Sequence, residues 1–565
     1  MLREIKRSIV DSPQSIVKKT KTIILCLLSS ILLILSFNNG NLWFLAWVGF
    51  VPFFFAIKNK SKIKSFLLAY LTGVIFWLGT IYWLIHVTLI GMIVLVLYLA
   101  LYFGIFGLII SYFVILRESA GSRFCPDVTS GQNDKFEVFR SSFYITQLVI
   151  LPSIWVILEY IRGHLFPSFP WAILAYSQYT NLPVIQIADI FGAWVVSFLI
   201  IMVNYAIYLI ISCIPLSAGE RVKGERDNRK KISITVISVL VIVLSYGYYK
   251  LFFAGRIEGQ KSASICVVQP NIPQELKWDI KAKDFIISEY LNLTKQAVKT
   301  SPDLIIWPEA ALPTIPQEDQ ESFSKIELFV KQINTELLLG AVTIEEDNYY
   351  NSAVLLSSGG SVVEQYNKIH LVPFGEYLPL RGKLGFLEAL VPIEDFTKGQ
   401  EYTIFNLDRE RVKGEGNINF AVLICFEDVF PELAREFVRK GAGFLVNISN
   451  DAWFKDTSEP YQHMQASVFR AVENRVFVVR CANTGVSAFI SPSGKIISQV
   501  HDITGKGTYV KGVAAEKVFA PTGQLSFYTR KGDIFILLCL ILILINVRLM
   551  NSKFISLGGS FRRKN

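Results

Sequence analysis

The chain has 565 residues, enough for several domains, and is 52% hydrophobic but only 18% charged, a balance that disfavours an ordinary soluble protein. Its formal net charge of +10 suggests a nucleic-acid partner until the basic residues are located. Seven cysteines (Cys26, Cys125, Cys213, Cys266, Cys425, Cys481 and Cys539) contain no CxxC pair and no Cys/His cluster. A structural zinc site and a disulfide framework are therefore disfavoured, and one reactive thiol among inert ones fits best.

In chain order, apolar runs at about 22–37, 43–57, 65–85, 88–116, 143–163, 194–214, 232–252 and 533–549 predict about eight membrane spans. Most approach or exceed the roughly 20 residues needed to cross the hydrocarbon core. The first two are short and also suit a tilted or re-entrant hairpin, which leaves the parity unchanged. The first run is followed at once by further spans and lacks a small-residue cleavage site, so it does not read as a signal peptide. The expected organisation is a seven-span membrane domain over 1–252, an extracytoplasmic domain over 253–531, and a last span with its tail over 532–565.

Lys and Arg set the orientation. They occupy the N-terminal segment (Arg3, Lys6, Arg7, Lys18, Lys19, Lys21), the second loop (Lys58, Lys60, Lys62, Lys64) and the fourth (Arg117, Arg123, Lys135, Arg140). The sixth loop holds Arg221, Lys223, Arg226, Arg229, Lys230 and Lys231, and the tail Arg548, Lys553, Arg562, Arg563 and Lys564. The alternate connections 38–42, 86–87 and 164–193 hold no Lys or Arg. This alternation predicts both termini in the cytoplasm and the segment after the seventh span outside. Basic residues lined up along membrane edges, rather than gathered on one folded face, argue against DNA or RNA. The polar loop 116–141 reads as flexible and cytoplasmic. The outward loop 164–193 is apolar, aromatic and broken by three prolines; it reads as an interfacial belt with Trp171 and Tyr176 at headgroup level, or as part of a lipid-entry surface.

From about 255 to 530 short β-rich runs alternate with helical, charged stretches. Strands are expected over 263–272, 303–309, 336–344, 351–359, 420–426 and 443–450, and helices over 283–299, 321–335 and 431–440. That alternation predicts an α/β sandwich whose strands, buried on both faces, read as continuous apolar runs. The 360–420 stretch reads as mostly irregular, as suits active-site loops.

Three polar residues stand at or just past the ends of apolar runs. Cys425, in LICFED, follows a strand and precedes a helix start, where backbone N–H groups and the helix dipole are expected to lower a thiol pKa. Glu309, after DLIIWP, can reach the centre of a site as a general base. Lys368, between Tyr366 and His370, can stabilise an oxyanion. Each alone has a plainer reading: a strand-end core cysteine, a surface carboxylate, a solvated loop lysine.

Taken jointly, WPE, YNKIHLVPFGEYLP, LICFED and NISND resemble the nitrilase (carbon–nitrogen hydrolase) superfamily. With membrane spans on both sides, and with QPNIPQELKWD (269–279) and NDAWF (450–454), the resemblance narrows to the apolipoprotein N-acyltransferase family. It implies a polytopic α-helical membrane domain joined to a nitrilase-like α-β-β-α sandwich. It implies Glu309 as general base, Lys368 as oxyanion stabiliser and Cys425 as acylated nucleophile. Glu376 would orient Lys368 or hold the acceptor amine, Glu427 would be a supporting acid, and Trp278 and Trp453 would flank the substrate mouth. Phe426 departs from the Tyr that often follows the nucleophile, so a hydroxyl there is dispensable or replaced; His370 is expected to be structural. The implied reaction takes an acyl chain from a membrane phospholipid onto Cys425 and passes it to the α-amine of the diacylglyceryl-cysteine of an apolipoprotein. It needs no cofactor or metal and takes place at the bacterial inner membrane with the catalytic domain in the periplasm. Two alternatives are a membrane-tethered amidase using water as acceptor, and a non-catalytic receptor on an inactivated nitrilase fold.

Overall fold

The computed structural model describes residues 13–38, 40–123, 130–212, 223–253, 261–378, 395–407, 418–521 and 523–561. The chain divides into two compact units, one comprising 1–178, 194–245 and 534–565, the other 179–193 and 246–533.

The first unit is helical. Its helices are α1 (Pro13–Ser36), α2 (Lys62–Thr80), α3 (Leu89–Arg123), α4 (Ser130–His164), α5 (Trp194–Ser212), most of α6 (Lys223–Phe253), and a C-terminal helix, Ile534–Phe561. Among the described residues six helices are long and apolar enough to cross a membrane, falling within α1 to α6; the apolar segments Trp43–Ile57 and Ile534–Arg548 are shorter. The eight expected runs are thus all helical, but two fall below spanning length.

The 43–57 run is broken into a 3-10 turn (Trp43–Leu45) and two short helices (Ala46–Gly49 and Val51–Ile57). Breaking a helix frees backbone groups that hydrocarbon cannot satisfy. Asn204 on α5 supplies partners: its Oδ1 accepts from Phe50 N (2.8 Å) and its Nδ2 donates to Ala46 O (2.8 Å). The expected flexible loop 116–141 is mostly helical instead, because α3 runs on to Arg123 and α4 starts at Ser130; residues 124–129 lie outside the described set. The belt reading of Trp171 and Tyr176 is overturned. Both rings are buried, Trp171 lies 5.2 Å from Trp83, and Arg162 Nη1 donates to the carbonyls of Phe169 (2.8 Å) and Trp171 (2.7 Å), folding the segment inward.

The second unit is a two-sheet sandwich. One sheet runs β12-β1-β2-β3-β4-β5 and the other β11-β10-β9-β8-β7-β6. The first is built from β1 (Ser262–Gln269), β2 (Leu304–Ile306), β3 (Glu336–Glu345), β4 (Asn348–Leu356), β5 (Val362–Asn367) and β12 (Gly512–Phe519). The second is built from β6 (Phe405–Asn406), β7 (Asn419–Ile424), β8 (Phe444–Ser449), β9 (Phe477–Ala482), β10 (Ala488–Ile490) and β11 (Ile496–Gln499). In each sheet three central strands are parallel and the outer ones antiparallel.

Helices α7 (Lys283–Val298) and α8 (Gln320–Ile333) cover the first sheet, their Ile286, Tyr290, Leu293, Ile326 and Val330 packing on Cys266, Ile305, Trp307, Leu337 and Leu339. Helices α9 (Pro431–Arg439) and α10 (Glu459–Asn474) pack on the second sheet. The sheets meet face to face, with Cys481 Sγ on β9 donating to Ile306 O of β2 (3.2 Å). This is the α-β-β-α sandwich. The 360–420 stretch holds two strands, β5 and β6, rather than irregular chain alone; its residues 379–394 and 408–417 lie outside the described set. Parallel strands ending together concentrate loops at one edge of a sheet, where α/β proteins place their sites.

Candidate active site

Three expected residues emerge from three different strand ends. Beyond β2, Trp307 N still donates to Leu338 O (2.8 Å), but Pro308 has no N–H to continue the ladder and the chain turns. It turns tightly over Gly340, where an added Cβ would lie 2.6 Å from both Glu309 Cα and Pro308 O. Glu309 is buried. Its Oε1 accepts from Asn351 Nδ2 (2.8 Å) and lies 3.5 Å from Lys368 Nζ, while its Oε2 accepts from the backbone N–H of Asn450 (2.9 Å).

Lys368 follows β5 and is anchored by its N–H to Asn351 O (2.9 Å). Its Nζ donates to Glu376 Oε1 (2.8 Å). Burial disfavours the charge on Lys368, but Glu376 and then Glu309 outweigh it and hold its pKa above the usual lysine value. Glu376 is fixed in turn by Asn351 Nδ2 (2.8 Å) and Val372 N (2.8 Å). One lysine and one asparagine thus bridge two carboxylates.

Cys425 caps β7 in the left-handed region, φ +53°, a conformation costing a non-glycine residue roughly 1–3 kcal/mol. The surroundings impose it. Asn447 Nδ2 donates to Leu423 O (3.1 Å) and Cys425 O (3.0 Å), and His463 Nε2 lies 3.2 Å from Cys425 O. The expected lowering of the thiol pKa is not found. Cys425 opens a five-residue 3-10 turn, Cys425–Val429, too short for a strong dipole. Desolvation, then Glu309, push the thiol well above its usual value, with Lys368 opposing.

Glu427 staples the lysine loop to the cysteine turn. Its Oε1 accepts from Tyr366 OH (2.8 Å), Ile369 N (2.7 Å) and His370 N (3.0 Å), and its Oε2 from Ile424 N (2.7 Å). Burial raises its pKa to about 7 against those donors. His370 stacks on Phe430 at 4.4 Å, and Phe426 meets the same ring edge-on at 5.3 Å. Trp278 (51% exposed), Phe374 (42%) and Trp453 (53%) stay open on segments that carry partners of Glu309 and Glu376.

Beneath Cys425 lies a charged cluster that the sequence patterns did not reveal. Asp428 accepts from Arg480 Nη1 (2.8 Å) and from Ser467 Oγ, and its Oδ1 is 2.9 Å from His463 Nε2; His463 Nδ1 is 3.3 Å from Asp451 Oδ1 and 3.7 Å from Glu459 Oε1. The available signal was the spacing of Glu459, His463 and Ser467, which stack every fourth residue along one face of α10. Asn351 was missed too; its signal is an amide that directly precedes the apolar run of β4. Asp451, Glu459 and His463 bring ligand-type atoms within 4.8 Å of one another. Burial opposes charge on His463, yet Asp428 and Asp451 raise its pKa to about 10. An imidazolium has no lone pair for a metal, and with Arg480 it balances Asp428 and Asp451.

Residues 29–206 match the family described as apolipoprotein N-acyltransferase N-terminal domain, and residues 264–517 the carbon–nitrogen hydrolase family. The chain is similar to an apolipoprotein N-acyltransferase from Geobacter metallireducens, 35% identical over 91% of this chain and 92% of that one. A second relative of that name, from Pasteurella multocida, is 28% identical over 90% and 92%. A crystal structure of an amidase from Nesterenkonia sp. covers 50% of this chain and 97% of its own at 17% identity, with a TM-score of 0.35.

Proposed function

From the premise that the chain belongs to the apolipoprotein N-acyltransferase family, acyltransferases that N-acylate lipoproteins, we propose that Cys425 carries the acyl group as a thioester taken from a membrane phospholipid. The supporting observation is the convergence of Glu309 and Lys368, both buried, and the partly buried Cys425, from three separate strand ends, into one electrostatic cluster.

In the first half-reaction Glu309 takes the thiol proton as the sulfur attacks the ester carbonyl. A thiol held above its usual pKa stays protonated at rest, so the base acts during attack. Lys368 faces the oxyanion of the tetrahedral intermediate. Collapse breaks the ester C–O bond, and the leaving lysophospholipid oxygen receives the proton from Glu309. In the second half-reaction the α-amine of a diacylglyceryl-cysteine attacks the thioester, Glu309 takes the amine proton, and the sulfur departs and is reprotonated as the amide forms. Glu376 keeps Lys368 in place, and Glu427 holds the lysine loop against the cysteine turn. Trp278 and Trp453 give the acyl chains an apolar rim, which favours lipid substrates over a small soluble amide and water.

On this reading the enzyme sits in the bacterial inner membrane with its termini in the cytoplasm and the sandwich in the periplasm, as the distribution of Lys and Arg supports. Incubation of the full chain with a phospholipid, followed by intact-mass spectrometry, tests the core of it. A hydroxylamine-labile acyl adduct at Cys425, absent from Cys425→Ala, is the expected result. Undiminished N-acylation of a diacylglyceryl-cysteine peptide by Cys425→Ala would overturn the proposal.

A further inference from the structure

Lys277 is a second buried lysine at the site. It comes directly after a 3-10 turn, Gln274–Leu276, that is tied to the site because Asn450 Nδ2 donates to Gln274 Oε1 (2.8 Å). Its Nζ donates to two consecutive carbonyls, Glu309 O (3.0 Å) and Ala310 O (3.0 Å). Two adjacent carbonyls turned onto one ammonium require an unusual backbone, and Ala310 has φ +45°.

A neutral donor could satisfy those carbonyls, whereas burying an ammonium is costly unless its charge is used. Carboxylates outnumber cations around the thiol: Glu309, Asp451 and Glu376 raise its pKa, and Lys368 opposes them. Lys277 adds positive charge to that cluster, and Glu309 and Cys425 both act on it in return.

We propose that Lys277 is a positioning residue for the transfer: its ammonium fixes the Glu309–Ala310 backbone so that the carboxylate meets the thiol, and its charge favours the thiolate over the thiol during attack. The inference rests on the assignment of Glu309 and Cys425 made above. Burial brings the Lys277 pKa down to about 8, with Glu309 and Cys425 pulling it back up, so its charge is present at neutral pH and lost above.

The test is the pH profile of Cys425 alkylation by iodoacetamide, read site by site by mass spectrometry on the full chain in detergent. Lys277→Met removes the charge and keeps the length; Lys277→Arg keeps the charge. Removing a cation that acts on a thiol raises the thiol pKa, and each pKa unit is about tenfold in thiolate. Lys277→Met is therefore expected to slow alkylation at pH 7 about tenfold, with Lys277→Arg recovering most of the rate. The unsubstituted chain is expected to flatten its rise near pH 8 as Lys277 deprotonates, and Lys277→Met to rise without that bend. A Lys277→Met chain with an unchanged melting midpoint and an unshifted profile would overturn the proposal, as would an Arg variant that behaves like the Met variant. N-acylation by Cys425→Ala would instead strike the underlying assignment, which the alkylation profiles do not measure.

Discussion

Gly340 sets how closely Glu309 can approach the rest of the site. A Cβ at position 340 would meet Glu309 Cα at 2.6 Å, Pro308 O at 2.6 Å and Ala310 N at 2.8 Å, all of them backbone. No rotamer change relieves such contacts. Carbon atoms settle at about 3.5 Å or more, so Gly340→Ala must push the 308–310 turn outward by roughly 0.9 Å. The displaced carboxylate would have to break its bonds to Asn351 and Asn450 or drag them along. Overpacking of this kind costs about 1–3 kcal/mol of stability. A misplacement near 1 Å costs a reaction about a hundredfold. The expected outcome is a chain that still folds, with a modestly lowered melting midpoint, and forms the acyl-enzyme about a hundred times more slowly. Gly523→Ala, with open space around its added Cβ, serves as control. Single-turnover acylation of Cys425 by a labelled phospholipid, together with thermal unfolding, separates the two effects. Acylation by Gly340→Ala within a factor of three of the unsubstituted rate would refute the reasoning, because the turn would then have room to spare.

Three further substitutions probe the surroundings. Tyr366→Phe removes one of four donors to the Glu427 carboxylate and is expected to cost about 1.5–3 kcal/mol, read as a lowered denaturation midpoint with slower acylation. His463 has its folded pKa raised to about 10, above an unfolded value near 6.5. Its stabilisation is therefore complete below about pH 6.5 and is lost as pH rises through about 10; unfolding midpoints should fall over that window, and His463→Gln should flatten the fall. Asp189 joins Arg475 (2.9 Å), Lys250 (2.9 Å) and Tyr246 (2.6 Å), tying the short turns of 179–193 to the rest of the second unit. Asp189→Asn should lower the melting midpoint by an amount equivalent to about 2 kcal/mol, less than a sealed ion pair because both cations are partly exposed.

What could be read from the sequence was whatever a local pattern encodes. The apolar helices came from apolar runs, and β1 to β4, β7, β8, α7, α8 and α9 from period and punctuation. Glu309, Lys368, Glu376, Cys425 and Glu427 each stand in a short motif, and the fold gathers all five. What escaped depends on distant partners. Trp171 and Tyr176 carry the composition of an interfacial belt, but the carbonyls bound by Arg162 turn that segment inward. The break at 43–57 is held by Asn204, some 150 residues on. The expected lowering of the thiol pKa failed because strand-then-helix-start implied a dipole, while desolvation decides the matter and the carboxylates that add to it arrive from beyond β2 and from the loop after β5. Strands β5, β6 and β9 to β12 were not read, and the cluster under Cys425 is gathered from the turns after β7 and β8, from α10 and from β9, which no local pattern links.

That cluster also answers a question the triad leaves open, namely why a buried histidine near the nucleophile is not its base. His463 sits between Asp428 and Asp451, which hold its proton up to about pH 10. A general base must accept a proton near the working pH, and an imidazolium locked this way has no site for one. What it can do is donate. Its Nε2 reaches the carbonyl of Cys425, alongside Asn447, and these two bonds hold a left-handed residue that would otherwise relax by about 1–3 kcal/mol. The lower layer of charge is thus spent on conformation and the upper layer, Glu309 with its lysines, on protons. The division makes a distinguishing demand: His463→Gln should slow acylation at every pH by a similar factor, without moving the profile. A pH shift of a unit or more in that variant would place the histidine in the proton path and merge the two layers into one.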